Sequence, residues 1–312
     1  MPSPDQHLPY RGRFAPSPTG PLHFGSLVAA VASYLQARSK DGQWILRIED
    51  LDPPRGSPGA AGDIIQTLLQ HGFEPSEPVL WQSERLKLYE AVVDELLARG
   101  IAYRCSCTRK ELQARALPGR MGPIYPGTCR ERTAHSGKSR SVRVRTDASP
   151  IEFSDALQGS NTCQLESEVG DYLIRRGDGL IAYHLAVVVD DHAQGITEVV
   201  RGTDLLDSTP AQIHLQQTLG LDTPGYMHIP VAVNRQGKKL SKQSGAVPVD
   251  SQKPATNLLS CLRFLRQDPP EGLESEPLQA IWDWAIGQWR PAQLAGHYDI
   301  ATPEHFEQKR RT

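Results

Sequence analysis

The chain has 312 residues, 38% of them hydrophobic and 22% charged, enough for a real core in one large domain or two modest ones. Its formal net charge of −2 excludes a long-range basic field, so a nucleic-acid partner would have to be held by a local patch. No apolar run opens the chain, the stretch Leu185 to Val189 is too short to cross a bilayer, and there are five cysteines. This predicts a cytoplasmic protein with no membrane partner and no disulfide framework.

In chain order, residues 1–9 read as a disordered lead. Tyr10 to Pro21 is a Pro/Gly-rich loop opening onto a helix over Leu27 to Ala37, with Ser26 as its N-cap. Trp44 to Ile48 is a strand running into the acidic turn Glu49-Asp50-Leu51-Asp52-Pro53. Helices follow near Asp63 to Gln70 and Glu84 to Arg99, stopped by Gly72 and Gly100. Cys105 to about Arg132 is a compact cysteine-containing insertion. Ser141 to Arg145 alternates apolar and polar, and Tyr172 to Arg176 meets Leu180 through the hairpin signal Gly177-Asp178-Gly179. Tyr183 to His192 reads as a helix, Ile196 to Val200 as a strand and Pro210 to Leu219 as a helix. Met227 to Val233 is a strand leading into the basic loop Asn234 to Gly245, and Asn257 to Arg266 and Pro277 to Trp289 are helices.

This alternation of strands and helices fits an α/β nucleotide-binding domain split by an insertion. Its halves are residues 10–100 and 191–250, the insertion is 101–190, and 251–312 is a short helical C-terminal region.

Two segments carry the chemistry. In the first, Arg13 to Ser26, prolines stiffen the loop and glycines admit close approach of a ligand. His23 then stands at a helix entrance, where free N–H groups and the helix dipole favour phosphate. In the second, Lys239-Leu240-Ser241-Lys242-Gln243, two lysines flank a serine in a loop able to close over a triphosphate and neutralise a departing pyrophosphate.

His23-Phe24-Gly25-Ser26 resembles the HIGH region of class I aminoacyl-tRNA synthetases, and Lys239 to Gln243 resembles their KMSKS loop. The upstream Arg-Phe-Ala-Pro-Ser-Pro-Thr-Gly looks like the glutamyl branch. Ser26 and Gln243 depart from the family pattern, while His23 and Lys242 are retained. The resemblance implies a Rossmann-type class I catalytic domain, with His23 and Lys242 stabilising the transition state. It implies ATP contacts at His23, Gly25, Lys239, Ser241 and Lys242, and Mg2+ accompanying the phosphates. Glutamate binding is carried onto Arg13, Phe14, Ala15, Pro16, Ser17, Glu49, Tyr183 and Arg201. Chemically, Arg13 offers a fork for a carboxylate and Glu49 an acid for the α-ammonium. On the residues alone, Arg47, Glu49, Asp50 and Asp52 also read as a magnesium site or a capped turn, Tyr183 as a core tyrosine, and Arg201 as an ion-pair partner of Asp204.

Cys105, Cys107 and Cys129 supply three thiols suited to tetrahedral zinc, with Tyr125, His135 or water as candidates for the fourth position, or simply three buried thiols. The string Gly122 to Arg130 resembles a zinc-binding region in which the tyrosine is the fourth ligand, which selects Tyr125. Only 69 residues follow Gln243, room for a few helices rather than a large anticodon-binding region. That brevity, with the cysteine pattern, resembles the glutamyl-Q tRNA(Asp) synthetases. The resemblance implies an enzyme that activates glutamate without tRNA and attaches it to queuosine in the anticodon of tRNA-Asp, where unstacked loop bases are accessible; a monomer is expected. Lys138, Arg140, Arg143 and Arg145 read either as contacts to an RNA backbone or as a solvated basic face.

Overall fold

The structure, a computed structural model, describes residues 9–113, 116–131, 141–240 and 246–306. The first part of the chain forms β1 (Arg11–Phe14), α1 (Phe24–Arg38), β2 (Gln43–Ile48), α2 (Ala60–Gln70), β3 (Leu80–Trp81) and α3 (Leu86–Ala98). The middle forms β4 (Ala102–Cys105), α4 (Arg109–Gln113), β5 (Pro118–Gly119), β6 (Gly122–Pro123), β7 (Ser141–Val144), β8 (Pro150–Asp155), β9 (Gly159–Gln164), α5 (Leu165–Glu168) and β10 (Leu173–Arg175). The remainder forms α6 (Tyr183–Ala193), β11 (Glu198–Gly202), α7 (Thr209–Leu219), β12 (Gly225–Ile229), β13 (Val231–Val233), α8 (Pro254–Phe264), α9 (Leu278–Gln288) and β14 (Asp299–Ala301).

Parallel strands β3–β2–β1 form one ladder, and β11 and β12 run parallel in a second that ends in the hairpin β8–β9. The ladders meet where the Thr197 amide donates to the Arg11 carbonyl at 2.9 Å. Strand order reverses at this seam, and in open α/β sheets ligands bind beyond the carboxyl ends of the strands at such a point. Successive strand residues face opposite ways. Trp44 and Leu46 therefore pack with α1, α8 and α9, while Ile45 between them packs with α3 and α6. With both faces covered, the strands read as continuous apolar runs.

Two local expectations are corrected. The N-cap of α1 is His23, in extended conformation, and Ser26 lies within the first turn. An imidazole acceptor does there what a serine hydroxyl was expected to do. Met227 to Val233 is not one strand: Pro230 has no N–H for a ladder, so β12 ends at Ile229 and β13 begins at Val231. β13 then pairs with β14, from the C-terminal region. The glycine stops hold, with Gly72 at φ +78° and Gly100 at φ +69°.

The cysteine-bearing segment builds its own antiparallel sheet, β10–β7–β4. Val142, Val144 and Ile174 of that sheet share a core with Tyr89 of α3 and Leu185 of α6, which fixes it beside the strand ends. Among the described residues no helix is long and apolar enough to cross a membrane.

Candidate active site

His23 closes the first turn of α1: its Nδ1 accepts the Ser26 amide at 3.3 Å, and its Nε2 lies 3.2 Å from Ser26 Oγ. A backbone amide only donates, so Nδ1 is the acceptor and the neutral ring carries its proton on Nε2. The basic loop is anchored against this turn at both ends. Leu240 donates its amide to Ala232 at 2.7 Å, and Val249 donates to Leu22 at 2.9 Å. Ala232 Cβ lies 3.7 Å from the position a side chain on Gly25 would take. Lys239 pairs with Asp204 at 2.5 Å. Ser241, Lys242 and Gln243, and likewise His135, Lys138 and Arg140, lie outside the described residues.

Below the seam opens a cavity of about 430 Å³ whose wall includes Ser17, Glu49, Tyr183 and His184. The Glu49 amide donates to Pro16 at 3.0 Å, locking the Ala15–Ser17 loop to the end of β2. The Glu49 side chain is 10% exposed, with Arg47 Nη2 at 3.7 Å. Burial pushes its carboxyl up more than Arg47 and Arg13 pull it down, to about 7. Burial likewise depresses His184 to about 4, so that ring is neutral. Phe14 gives its ring to the core, stacked on Trp44.

The two arginines expected to meet a carboxylate differ. Arg13 is already neutralised, with Nε at 3.2 Å and Nη2 at 3.5 Å from the two Asp191 oxygens. Arg201 makes no ion pair among the described residues, and Asp204, its expected partner, binds Lys239 instead. Neutral groups hold it: Gln212 Oε1 and Thr209 Oγ1 at 2.8 Å, His228 Nε2 at 3.0 Å and the Tyr183 hydroxyl at 3.3 Å. Arg201 is thus a buried cation one hydroxyl behind the cavity wall, with its charge still to be matched.

The acidic turn does not converge on a metal. Asp50 accepts from the Ser83 amide and hydroxyl, Asp52 is bound by Arg55 and Arg176, and Arg47 turns inward to Asp191 at 2.7 Å. A capped turn describes it better than a magnesium site.

The residues that hold this wall in place escaped the sequence reading. Asp190 and Asp191, in the third turn of α6, organise Arg13, Arg47, Gln82, Arg85 and Tyr89. Asp155 Oδ2 lies 2.6 Å from His228 Nδ1. Because Arg201 Nε only donates, His228 Nε2 must accept and Nδ1–H must point to Asp155. This tautomer orients Arg201. Two adjacent acids in the Tyr183 to His192 helix were the available signal, since a paired charge is what makes such burial tolerable. No local signal joins Asp155 to His228, which meet only through strand pairing.

The Cys105, Cys107 and Cys129 sulfurs lie within 4.8 Å of one another. The Tyr125 hydroxyl is 3.4 Å from Cys105 Sγ and 3.7 Å from Cys107 Sγ, and accepts the Cys129 amide at 2.8 Å. Burial raises the Cys129 thiol, but hydrogen bonds from the Ser106 backbone, Tyr125 and Cys107 bring it down to about 6. Zn–S bonds of about 2.3 Å put tetrahedral ligands about 3.8 Å apart, and Cys107 Sγ to Cys129 Sγ is 3.6 Å. Three thiols and a phenol at these spacings fit a small tetrahedral ion.

Residues 10–259 match the family profile described as class I tRNA synthetases (E and Q), catalytic domain. The chain is 49% identical over 307 residues to the glutamyl-Q tRNA(Asp) synthetase of Aromatoleum aromaticum, covering 98% of this chain and 97% of that one. It is 52% identical over 283 residues to the protein of that name from Dechloromonas aromatica, covering 90% and 94%. A crystal structure of a glutamate tRNA ligase from Elizabethkingia meningosepticum, in complex with its amino acid, superposes with a TM-score of 0.74. That match covers 95% of this chain and 67% of the other at 24% identity, a likeness of fold.

Proposed function

Since the chain belongs to the glutamyl-Q tRNA(Asp) synthetases, within the class I tRNA synthetase ligases for E and Q, we propose that it forms glutamyl-adenylate from glutamate and ATP without tRNA. It then passes the glutamyl group to queuosine in the anticodon of tRNA-Asp. The observation that carries the reading is that Glu49 and Tyr183 line one cavity, with the Arg201 guanidinium bonded to the Tyr183 hydroxyl behind its wall. The wall thus offers an acid for an α-ammonium, and behind it lies a buried cation to favour a carboxylate. Arg13, already paired with Asp191, supports Glu49 electrostatically more than it receives substrate.

In the first step the glutamate α-carboxylate attacks the α-phosphorus of ATP and pyrophosphate leaves. The protein supplies position and charge rather than a covalent nucleophile. His23 Nε2–H donates toward the phosphates, while Lys239 and Lys242 neutralise the leaving group and Ser241 offers it a hydroxyl, with Mg2+ brought by ATP. In the second step a hydroxyl of the queuosine cyclopentene diol attacks the glutamyl carbonyl and AMP leaves. Cys105, Cys107, Cys129 and Tyr125 would hold a zinc ion whose contribution is structural, fixing the segment 101–190 over the cleft. We place the two halves of the nucleotide-binding domain at 10–100 and 191–250, and the protein in the cytoplasm as a monomer.

The test is ATP–pyrophosphate exchange with glutamate alone, followed by transfer of labelled glutamate to tRNA-Asp with and without queuosine. Exchange without tRNA and label only on the modified tRNA are expected. Absence of exchange overturns the activation step. Equal labelling of both tRNAs overturns the queuosine acceptor.

A further inference from the structure

The cavity continues past Glu49 and Tyr183 into the segment 101–190, where Met121, Pro123, Val169, Tyr172 and Arg143 take over its wall. A volume of about 430 Å³ suits a ligand well above glutamate in size, and these residues form an apolar, partly aromatic half beyond the amino-acid end. Arg143 was expected on a surface basic strand. Instead its strand β7 is the centre of β10–β7–β4, and Arg143 is 7% exposed.

Arg143 is unusually placed for a buried cation. Its Nη1 donates to the Asp171 carbonyl at 2.6 Å, and its guanidinium lies 3.9 Å from the centroid of the Tyr125 ring. Its Nε is buried with no hydrogen-bond partner, and among the described residues no carboxylate lies within ion-pair distance. Nearby Asp171 spends its carboxylate on Thr146, Tyr103 and Arg130. By contrast, Arg145 on the same segment is taken up by Glu131 and by the Gly100 and Arg130 carbonyls. A desolvated guanidinium without a counter-charge is costly unless a ligand completes it, and its planar fork matches phosphate.

We propose that Arg143 is the anion-binding residue of an acceptor subsite in the second half of this cavity, and that it takes a phosphate of the tRNA nucleotide that receives glutamate. The apolar wall faces the base, Arg143 holds the phosphate, and the reactive hydroxyl is turned toward Glu49 and Tyr183. Tyr125 links this contact to the thiol cluster, which gives that cluster a bearing on acceptor binding as well as on folding. The inference rests on the acceptor assigned above.

The test is direct binding of queuosine-containing tRNA-Asp, without ATP or glutamate, to wild type, Arg143→Met and Arg143→Lys across a salt series, with thermal unfolding read in parallel. For Arg143→Met the expected result is roughly tenfold weaker binding and a log Kd against log salt slope smaller by about 0.7, one single-strand phosphate contact. For Arg143→Lys, binding roughly threefold weaker with the slope retained is expected, because charge remains and the fork is lost. A folded Arg143→Met protein with wild-type affinity and slope overturns the proposal. If that variant does not fold, wild-type affinity in Arg143→Lys overturns it. Wild-type enzyme that transfers glutamate to no queuosine-containing tRNA would instead bring down the acceptor assignment itself.

Discussion

The amino-acid end of the cleft and the thiol-bearing end hold charge in opposite ways. Around Glu49, three arginines are already balanced from within: Arg13 and Arg47 share Asp191, and Arg85 binds the neighbouring Asp190. Glu49 sits inside that lattice at 10% exposure with a single long ion pair, to Arg47. Around Tyr125 the sheet is small, its cation Arg143 has no carboxylate partner among the described residues, and three thiols converge beside a phenol. The first region is organised before any ligand arrives, which is what electrostatic preorganisation requires. The second is a set of groups that the proposed metal and acceptor would complete. Rigid strand ends, seated on a core shared with α1, α8 and α9, permit the first. A three-stranded sheet with short satellite strands favours the second.

The sharpest way to break this contrast is to remove the charge at its centre. Glu49→Gln keeps the shape and deletes the acid, and truncating one side of a buried charge pair costs about 3 kcal/mol, or on the order of 100-fold. A rise of that size in the glutamate KM of pyrophosphate exchange is expected, with the ATP KM within a few-fold of wild type. Wild-type enzyme carries a further signature. Its Glu49 carboxyl is raised to about 7, and only the ionised form attracts an α-ammonium. Glutamate affinity should therefore be full above pH 7 and fall as pH drops through it, while the Glu49→Gln variant shows no such fall. An equal pH dependence in both proteins would remove Glu49 from the ammonium site.

A subtler attack leaves every cavity-lining residue untouched. His228 fixes Arg201 through Nε2 and is itself fixed by Asp155. Replacing His228 with Asn removes a hydrogen bond to a charged group, worth about 1.5–3 kcal/mol. The glutamate KM is expected to rise roughly 10- to 100-fold with kcat and ATP KM little changed, and His228→Gln, which can present an amide oxygen to Arg201, should recover part of it. Equal losses in kcat and in ATP KM would mark His228 as a general folding residue instead.

These two experiments also divide what the sequence disclosed from what it concealed. The glycine-rich loop, the helix behind His23, the acid ending β2 and the cysteine pattern are each written within a few neighbouring residues, so local rules find them. The match of the chain to its relatives likewise spans the whole catalytic segment. The Asp155–His228–Arg201 chain is not local at all: it is assembled by β8 pairing with β12 and β12 with β11, and β8 itself was overlooked. The inward turn of Arg143 was missed for a related reason. Alternation in Ser141 to Arg145 tells which residues share a face, but only the core over Val142 and Val144 and the Tyr125 ring against Arg143 tell that both faces are covered. Ser26 looks like the cap in sequence because serine is a more familiar N-cap acceptor than histidine.

The smallest predicted effect lies at that cap. His23 Nδ1 is committed to the Ser26 amide, and Ser26 Oγ stands 3.2 Å from Nε2, so the hydroxyl restrains the ring edge proposed to face phosphate without making the cap. Ser26→Ala deletes this restraint and keeps the amide, so α1 and the melting temperature should be unaffected. One neutral hydrogen bond contributes about 0.5–1.5 kcal/mol, and part of that is recovered when ATP itself orders the imidazole. A fall of roughly threefold in kcat for pyrophosphate exchange is therefore expected, with glutamate KM unchanged. A loss beyond about 30-fold exceeds what one neutral hydrogen bond supplies and would place the Ser26 hydroxyl on the phosphate itself. The departure from a second histidine at this position would then be a replacement of function rather than a tolerated change.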